Sequence, residues 1–281
     1  ILKMSDMVGN AMPDKNYSVN MYREAPVLGV SKLEGTYSTV NNTTYVNKDD
    51  ELSITFSGVA DKRFKKIELR DKSGNKISDI DKKTGKITIG KGDYRIYVQD
   101  IVGQEATRTL EELTENRVFS TIQEDESKPE IGKQDFSGES KKGSDGNTYV
   151  ISDGEIRIPV SDSESGIESI KVSGAEYSES EGVVVVNTNQ FKKDGSYNFK
   201  LSVKDKVGNI SEKDYSVRLL REFPEIKGNS YDNVVISKEN SYSKKDISIS
   251  LSDYNKFGID NISVLKDNIV VGNVDKGTFS T

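Results

Sequence analysis

The chain of 281 residues contains no cysteine, no histidine and no tryptophan. Without cysteine there are no disulfides, thiolate metal sites or thiol nucleophiles, and redox chemistry gives no indication of compartment. Without histidine there is no Ser-His-Asp or Cys-His pair and no ordinary zinc site, so an enzyme would have to work with carboxylates, lysine and tyrosine alone. Proline is scarce at five residues, and no run of 18 apolar residues suggests a membrane-spanning helix. A basic stripe is also missing. Forty Lys and Arg are interspersed with 46 Asp and Glu for a net charge of -6, which argues against nucleic acid as a partner, because neutralising phosphates requires clustered cations. Apolar residues make up 33% and charged residues 31%, a composition that suits thin-cored, two-layer sheet domains.

What the chain does have is a repeat. Asp-x-Val-Gly-x occurs as Asp6-Met7-Val8-Gly9-Asn10, Asp100-Ile101-Val102-Gly103-Gln104 and Asp205-Lys206-Val207-Gly208-Asn209. A period of about one hundred residues is long enough for each unit to close its own core, so the array is one of domains rather than of solenoid units. Strict alternation precedes the third copy, with Tyr197, Phe199, Leu201 and Val203 on one face and Asn198, Lys200, Ser202 and Lys204 on the other. That is the pattern of a half-buried strand. Tyr94, Ile96 and Val98 repeat it before the second copy, and Leu2 and Met4 before the first. After the pentapeptide Tyr215, Val217 and Leu219 alternate again, echoed by Tyr17, Val19 and Met21. The pentapeptide is therefore a hairpin turn, its glycine supplying positive φ and its Asp closing bonds to its own backbone.

Gly92-Asp93-Tyr94 and Gly195-Ser196-Tyr197 place a tyrosine just after a turn, where a tyrosine corner sits in Greek-key sandwiches; an ordinary inward aromatic is the alternative. Front strands recur at Asp50 to Phe56, Asp153 to Asp162 and Asp246 to Asp253, followed by Ile67 to Leu69, Ile170 to Val172 and Ile262 to Val264. Copies start near Pro26, Pro129 and Pro224. The expected domains are a closing hairpin at 1–24, complete domains at 25–126 and 127–222, and the front of another at 223–281. The chain reads as a piece of a longer protein whose export signal and anchor lie elsewhere. Thr109-Leu110-Glu111-Glu112 has capping-box spacing, but a loop with incidental spacing is the expectation there.

In order and repetition these motifs resemble the bacterial immunoglobulin-like (Ig-like) repeats of surface proteins. Asp162-Ser163-Glu164-Ser165-Gly166-Ile167 matches their loop, Phe257-Gly258-Ile259 matches it partly, and Val59-Ala60-Asp61-Lys62-Arg63-Phe64 departs from it. The resemblance covers essentially the whole chain and implies an all-β fold of tandem Ig-like antiparallel β-sandwich domains in an elongated array. It also implies a role as stalk, spacer or adhesive module, extracellular, at the cell surface or cell wall.

The expected function is a non-enzymatic structural stalk or adhesin segment of a bacterial surface or secreted protein. The competing readings are a glycan- or protein-binding module and an accessory region of a secreted enzyme. No catalytic, cofactor or metal residue is assigned. One constellation invites calcium at a domain junction: Asp49, Asp50, Glu51, Glu124, Asp125, Glu126, Asp162, Glu164 and Asp205, since carboxylates from neighbouring domains and their linker can supply the six to eight oxygens calcium takes. A solvated acidic rim is the plain alternative. A Lys-to-Asn or Lys-to-Asp cross-link of the kind some surface domains carry would need an inward lysine, and Lys200 and Lys204 fall on the polar face. Tyr97 could stack on sugar, although an outer sheet position explains it as well. Expected partners are a host-surface protein or glycan, with no nucleic acid and no membrane insertion. Head-to-tail self-association, residues 1–24 of one molecule completing 223–281 of another, competes with flanking segments that bury both ends.

Overall fold

The computed structural model describes residues 3–21, 23–24, 26–222, 226–232, 235–237, 240–242, 248–254, 259–266, 268–273 and 278–280. Pro224, Asp246, Phe257 and Gly258 lie outside the described residues. The chain is almost wholly β and divides into two compact units: residues 1–127 with Ser163–Gly166 and Lys206–Asn209, and the remainder from Lys128 onward. Each is described by itself.

In the first unit the strands are β1 (Gly29–Glu34), β2 (Tyr37–Val40), β3 (Thr43–Asn47), β4 (Leu52–Ser57), β5 (Phe64–Asp71), β6 (Lys76–Asp79), β7 (Lys86–Ile89), β8 (Gly92–Asp100) and β9 (Glu105–Thr109). Helix α1 (Leu110–Thr114) and β10 (Thr121–Asp125) follow. One sheet runs β1-β4-β7 and the other β2-β3-β10-β8-β5-β6, with β9 also paired to β8. Alternation drives the packing: on β4 Leu52, Ile54 and Phe56 are buried while the residues between them are not. Ile67 and Leu69 of β5 and Ile96 and Val98 of β8 meet them across the sandwich in one core.

The loop expected at Thr109 is instead a helix. Thr109 Oγ1 accepts the Glu112 amide at 3.3 Å and the Glu112 carboxylate accepts the Thr109 amide at 3.2 Å, so both halves of the capping box form. Such a cap contributes about 1 kcal/mol. It succeeds because tertiary contacts hold the turn: Leu110 is fully buried, and the buried Thr114 hydroxyl bonds the Leu110 and Val118 carbonyls.

The second unit carries β11 (Glu130–Ile131), β12 (Asp135–Phe136), β13 (Ser140–Lys142), β14 (Thr148–Val150), β15 (Glu155–Ser161), β16 (Ile167–Ser173), β17 (Ser178–Ser180) and β18 (Val183–Asn187). The long hairpin β19 (Gly195–Asp205) and β20 (Ile210–Leu219) comes next. One sheet is β11-β15-β18-β17, with β12 also on β15, and the other β13-β14-β20-β19-β16. Phe199, Leu201 and Val203 are buried, with Tyr197 packed against them, and they meet Ile156, Ile158, Val184 and Val186 of the facing sheet. The register read from the alternation is the register found. Two pairings depart from pure antiparallel order: β10 with β3 and β14 with β20 are parallel. In both cases a late strand joins an early hairpin, a placement set by sheet closure rather than by alternation.

Beyond the sandwich lie β21 (Ile226–Asp232), β22 (Val235–Ser237), β23 (Asn240–Tyr242), β24 (Ser248–Tyr254), β25 (Ser263–Lys266), β26 (Ile269–Asn273) and β27 (Thr278–Ser280). They pair as β21-β24-β27, β22-β23 and β25-β26.

Both tyrosine corners form. The Tyr94 hydroxyl donates to the Lys91 carbonyl at 3.1 Å and that of Tyr197 to the Lys193 carbonyl at 2.7 Å. Each pins the start of a central strand to the turn before it.

Candidate functional site

The repeated Asp turn is a self-contained hydrogen-bonded unit. Asp6 Oδ1 accepts the amides of Val8 and Asn10 at 3.0 and 2.9 Å, and Asp100 Oδ1 accepts those of Val102 and Gln104 at 3.0 and 2.7 Å. Gly9, Gly103 and Gly208 all take positive φ, the conformation the turn requires. Donation from the Asn10 side chain and backbone holds the Asp6 carboxyl below the usual carboxylate range. The valine that follows is exposed at Val8 and Val102 but buried at Val207. The same local motif is thus used once as a contact surface.

That contact belongs to the first unit. Asn47, at the end of β3, donates from Nδ2 to the Val207 carbonyl at 2.9 Å, and Asn209 donates from its amide to the Asp125 carbonyl at 3.0 Å. The Asp125 carboxylate is fully buried; Oδ1 accepts the Ser127 amide at 3.0 Å and Oδ2 the Ser165 amide at 3.1 Å. Ser38 Oγ donates to the Ser165 carbonyl at 2.6 Å. Burial alone would raise the Asp125 pKa, but hydrogen bonds to its anion, from Ser165 above all, outweigh it and hold the carboxyl below its ordinary value. The chemistry is that of a fastener, in which a buried anion orders a turn and a loop by accepting backbone amides.

Of the other acidic residues of the constellation in this unit, Glu164 hydrogen-bonds the Asp125 carboxyl and helps to lower its pKa, while Glu124 and Glu126 are held by lysines. Glu124 pairs with Lys91 at 3.4 Å and Glu126 with Lys48 at 3.0 Å, the latter hydrogen bond raising the lysine pKa. Asp49, Asp50 and Glu51 are exposed on the turn after β3. In the second unit Asp205, fully buried, and Asp162, half-buried, bring carboxylate oxygens within 4.8 Å of each other. Glu164 lies in the first unit's Ser163–Gly166 segment.

Lys200 and Lys204 lie on the polar face as expected, bonded to Glu212 and Glu168, each at 2.6 Å. Tyr97 is a different matter. It sits on the outer face of its sheet, yet only 7% of it is exposed, because the Arg70 guanidinium lies 3.4 Å from its ring centroid. Buried Glu68 holds that guanidinium at 2.6 Å. A sugar has no open ring to stack on there.

Sequence reasoning missed Asn47, Ser38 and the clamp at the end of the second sandwich. In that clamp the Asp194 carboxylate accepts the amides of Arg221 and Glu222 at 2.9 Å, while the Arg221 guanidinium reaches Asp153 and the Phe191 carbonyl. Asn, Ser and Arg at strand ends carry no local signature, since their partners lie between 27 and 160 residues away.

No family model and no curated protein matches the chain. Among solved structures it is similar to the titin domains z1z2 in complex with telethonin, at 13% identity and a TM-score of 0.22, over 72% of this chain and 98% of that one. The major pilin subunit BcpA of Bacillus cereus is similar at 11% identity and 0.20, over 90% of this chain and 95% of that. Dimeric latent PorU of Porphyromonas gingivalis is similar at 14% and 0.23, over 90% of this chain but 29% of PorU. Scores this low carry no functional argument. The fold class, tandem Ig-like β-sandwich, rests on the chain's own sheets.

Proposed function

We propose that this chain is a non-enzymatic structural segment, a stalk or adhesin spacer, of a bacterial cell-surface or secreted protein. One observation carries the reading: the motif carboxylates are engaged by backbone amides and lysines that order turns and loops, while each sandwich closes its own core. Such residues resist deformation rather than process a substrate. Pulling the purified chain from its ends is expected to give a separate unfolding step for each sandwich of roughly 95 residues, releasing about 30 nm of chain at ~3.6 Å per residue. Gradual extension without steps, or turnover of a peptide or glycan substrate, contradicts the proposal. Micromolar binding on a glycan array favours the binding-module reading instead.

A calcium ion is a second reading, in which the Asp162 and Asp205 carboxylates would supply two of the six to eight oxygens it takes. Millimolar calcium is then expected to raise the melting temperature by several degrees through mass action, and Asp162→Asn to abolish most of the rise. Identical melting curves with calcium and with chelator reject the ion.

A further inference from the structure

The two complete sandwiches differ at one sheet edge. In the first, Phe64, Ile67 and Leu69 of β5 pair with Asp100, Val98 and Ile96 of β8; in the second, Ile167, Ile170 and Val172 of β16 pair with Asp205, Val203 and Leu201 of β19. The two strands occupy the same place in the same register, down to a bulge after the first of the three residues. Their burial differs. Phe64, Ile67 and Leu69 are each exposed by 3% or less, whereas Ile167, Ile170 and Val172 are only half-buried. The cause is the neighbouring chain: β6 covers the outer edge of β5, but after β16 the chain crosses to the other sheet, where β17 pairs with β18. Among the described residues no strand covers the outer edge of β16.

The first sandwich shows what such an edge accepts. Just past β6 the Ile80 amide donates to the Ile67 carbonyl at 2.9 Å, and the Ile80 side chain is buried in the core. Two residues on, Lys82 Nζ donates to the Phe64 and Lys65 carbonyls at 2.7 and 3.1 Å. In the second sandwich the carbonyl that matches Ile67 is that of Ile170, and a side chain holds it: the Tyr177 hydroxyl donates to it at 2.7 Å. Between β16 and β17 lies a groove of about 380 Å³, lined by Ile167 and Ile170 and by the carboxylates of Asp162, Glu168 and Glu179, with no basic side chain in its lining. Lys204 offsets Glu168 at 2.6 Å, and the groove keeps the negative sign of Asp162 and Glu179.

We propose that β16 is a docking edge for an extended basic segment of another protein, with the pattern apolar-x-Lys that Ile80-Asp81-Lys82 displays inside the first sandwich. The segment pairs its backbone with β16, and one of its amides replaces the Tyr177 hydroxyl on the Ile170 carbonyl. Its apolar residue covers Ile167 and Ile170, and its lysine lies beside Asp162 and Glu179. Backbone pairing supplies the affinity, and the sign of the groove selects a basic segment over an acidic one. Tyr177 meanwhile keeps the edge carbonyl satisfied, because an acceptor shielded from water without a donor is costly.

The probe is a fluorescent peptide with the sequence of residues 76–83 carrying Asp79→Lys and Asp81→Lys, titrated with the whole chain in chelator, so that no divalent cation competes for Asp162. A Kd on the order of tens of micromolar is expected, modest because ordering the peptide offsets much of the contact energy. The same peptide methylated on the backbone nitrogen of the residue matching Ile80 keeps every charge and side chain but loses the donor, and should bind about tenfold more weakly. Glu179→Lys in the chain should weaken binding by roughly five- to tenfold. Tyr177→Phe should tighten it by roughly two- to tenfold, because the Ile170 carbonyl no longer gives up a partner. No saturable binding up to about 1 mM, equal affinity of the methylated peptide, or an affinity that neither substitution changes overturns the proposal.

Discussion

Replacing Asp125 with alanine is expected to lower the stability of the first unit by about 2 to 4 kcal/mol, because two amides bonded to a buried carboxylate lose their charged acceptor at once. The loss should depend on pH in a defined sense. The folded-state pKa of Asp125 is depressed, so its contribution is fully present above the unfolded carboxyl value of about 4 and is lost as pH falls through the lower folded value. Chemical denaturation of wild type and Asp125→Ala from about pH 7 down to pH 2 should therefore show a gap that is constant above about pH 5 and narrows below about pH 4. A gap that does not change with pH would mean that the carboxylate's charge plays no part and that the side chain only fills space.

Leu201→Ala should cost the second sandwich about 3 kcal/mol, within the usual range of roughly 2 to 5 for a buried leucine. Leu201 is fully buried at the centre of β19, which is bonded on both sides, to β16 and β20. Lys200 is its immediate neighbour on the polar face, its side chain paired with Glu212 in solvent. Lys200→Ala should leave the transition almost where it was. Urea unfolding followed by a probe in each core should show the second-unit transition moving for Leu201→Ala while the first stays fixed, because the two cores share no residue. Equal effects of the two substitutions would contradict the inward register of Leu201 on β19.

The side-chain register of β4, β8 and β19 was legible from alternation, because a pleated strand with one buried face admits only one assignment of its residues to the core. The Asp-x-Val-Gly turns and the tyrosine corners were legible for a related reason. Their hydrogen bonds run between residues two to four apart, so the motif contains both partners. By itself, then, the sequence determined the all-β class, the repeat, the strand faces and the local closures.

The tertiary structure decided the rest, wherever a group's partner lies far along the chain. Thr109 and Glu112 form a capping box on a helix because a buried Leu110 and the Thr114 hydroxyl anchor the turn, and local spacing alone could not distinguish that from a loop. Tyr97 occupies an outer strand position yet is covered, because Glu68 fixes Arg70 over it. Of three nearly identical turns only the third buries its valine, held by Asn47 from 160 residues earlier. In sequence Asp125 was one of nine acids read as calcium ligands or a solvated rim, and in the fold it is a buried acceptor for the amide of Ser165, 40 residues on. Alternation and turn chemistry act within a few residues, whereas burial of a polar side chain depends on which distant donors the folded sheets bring to it.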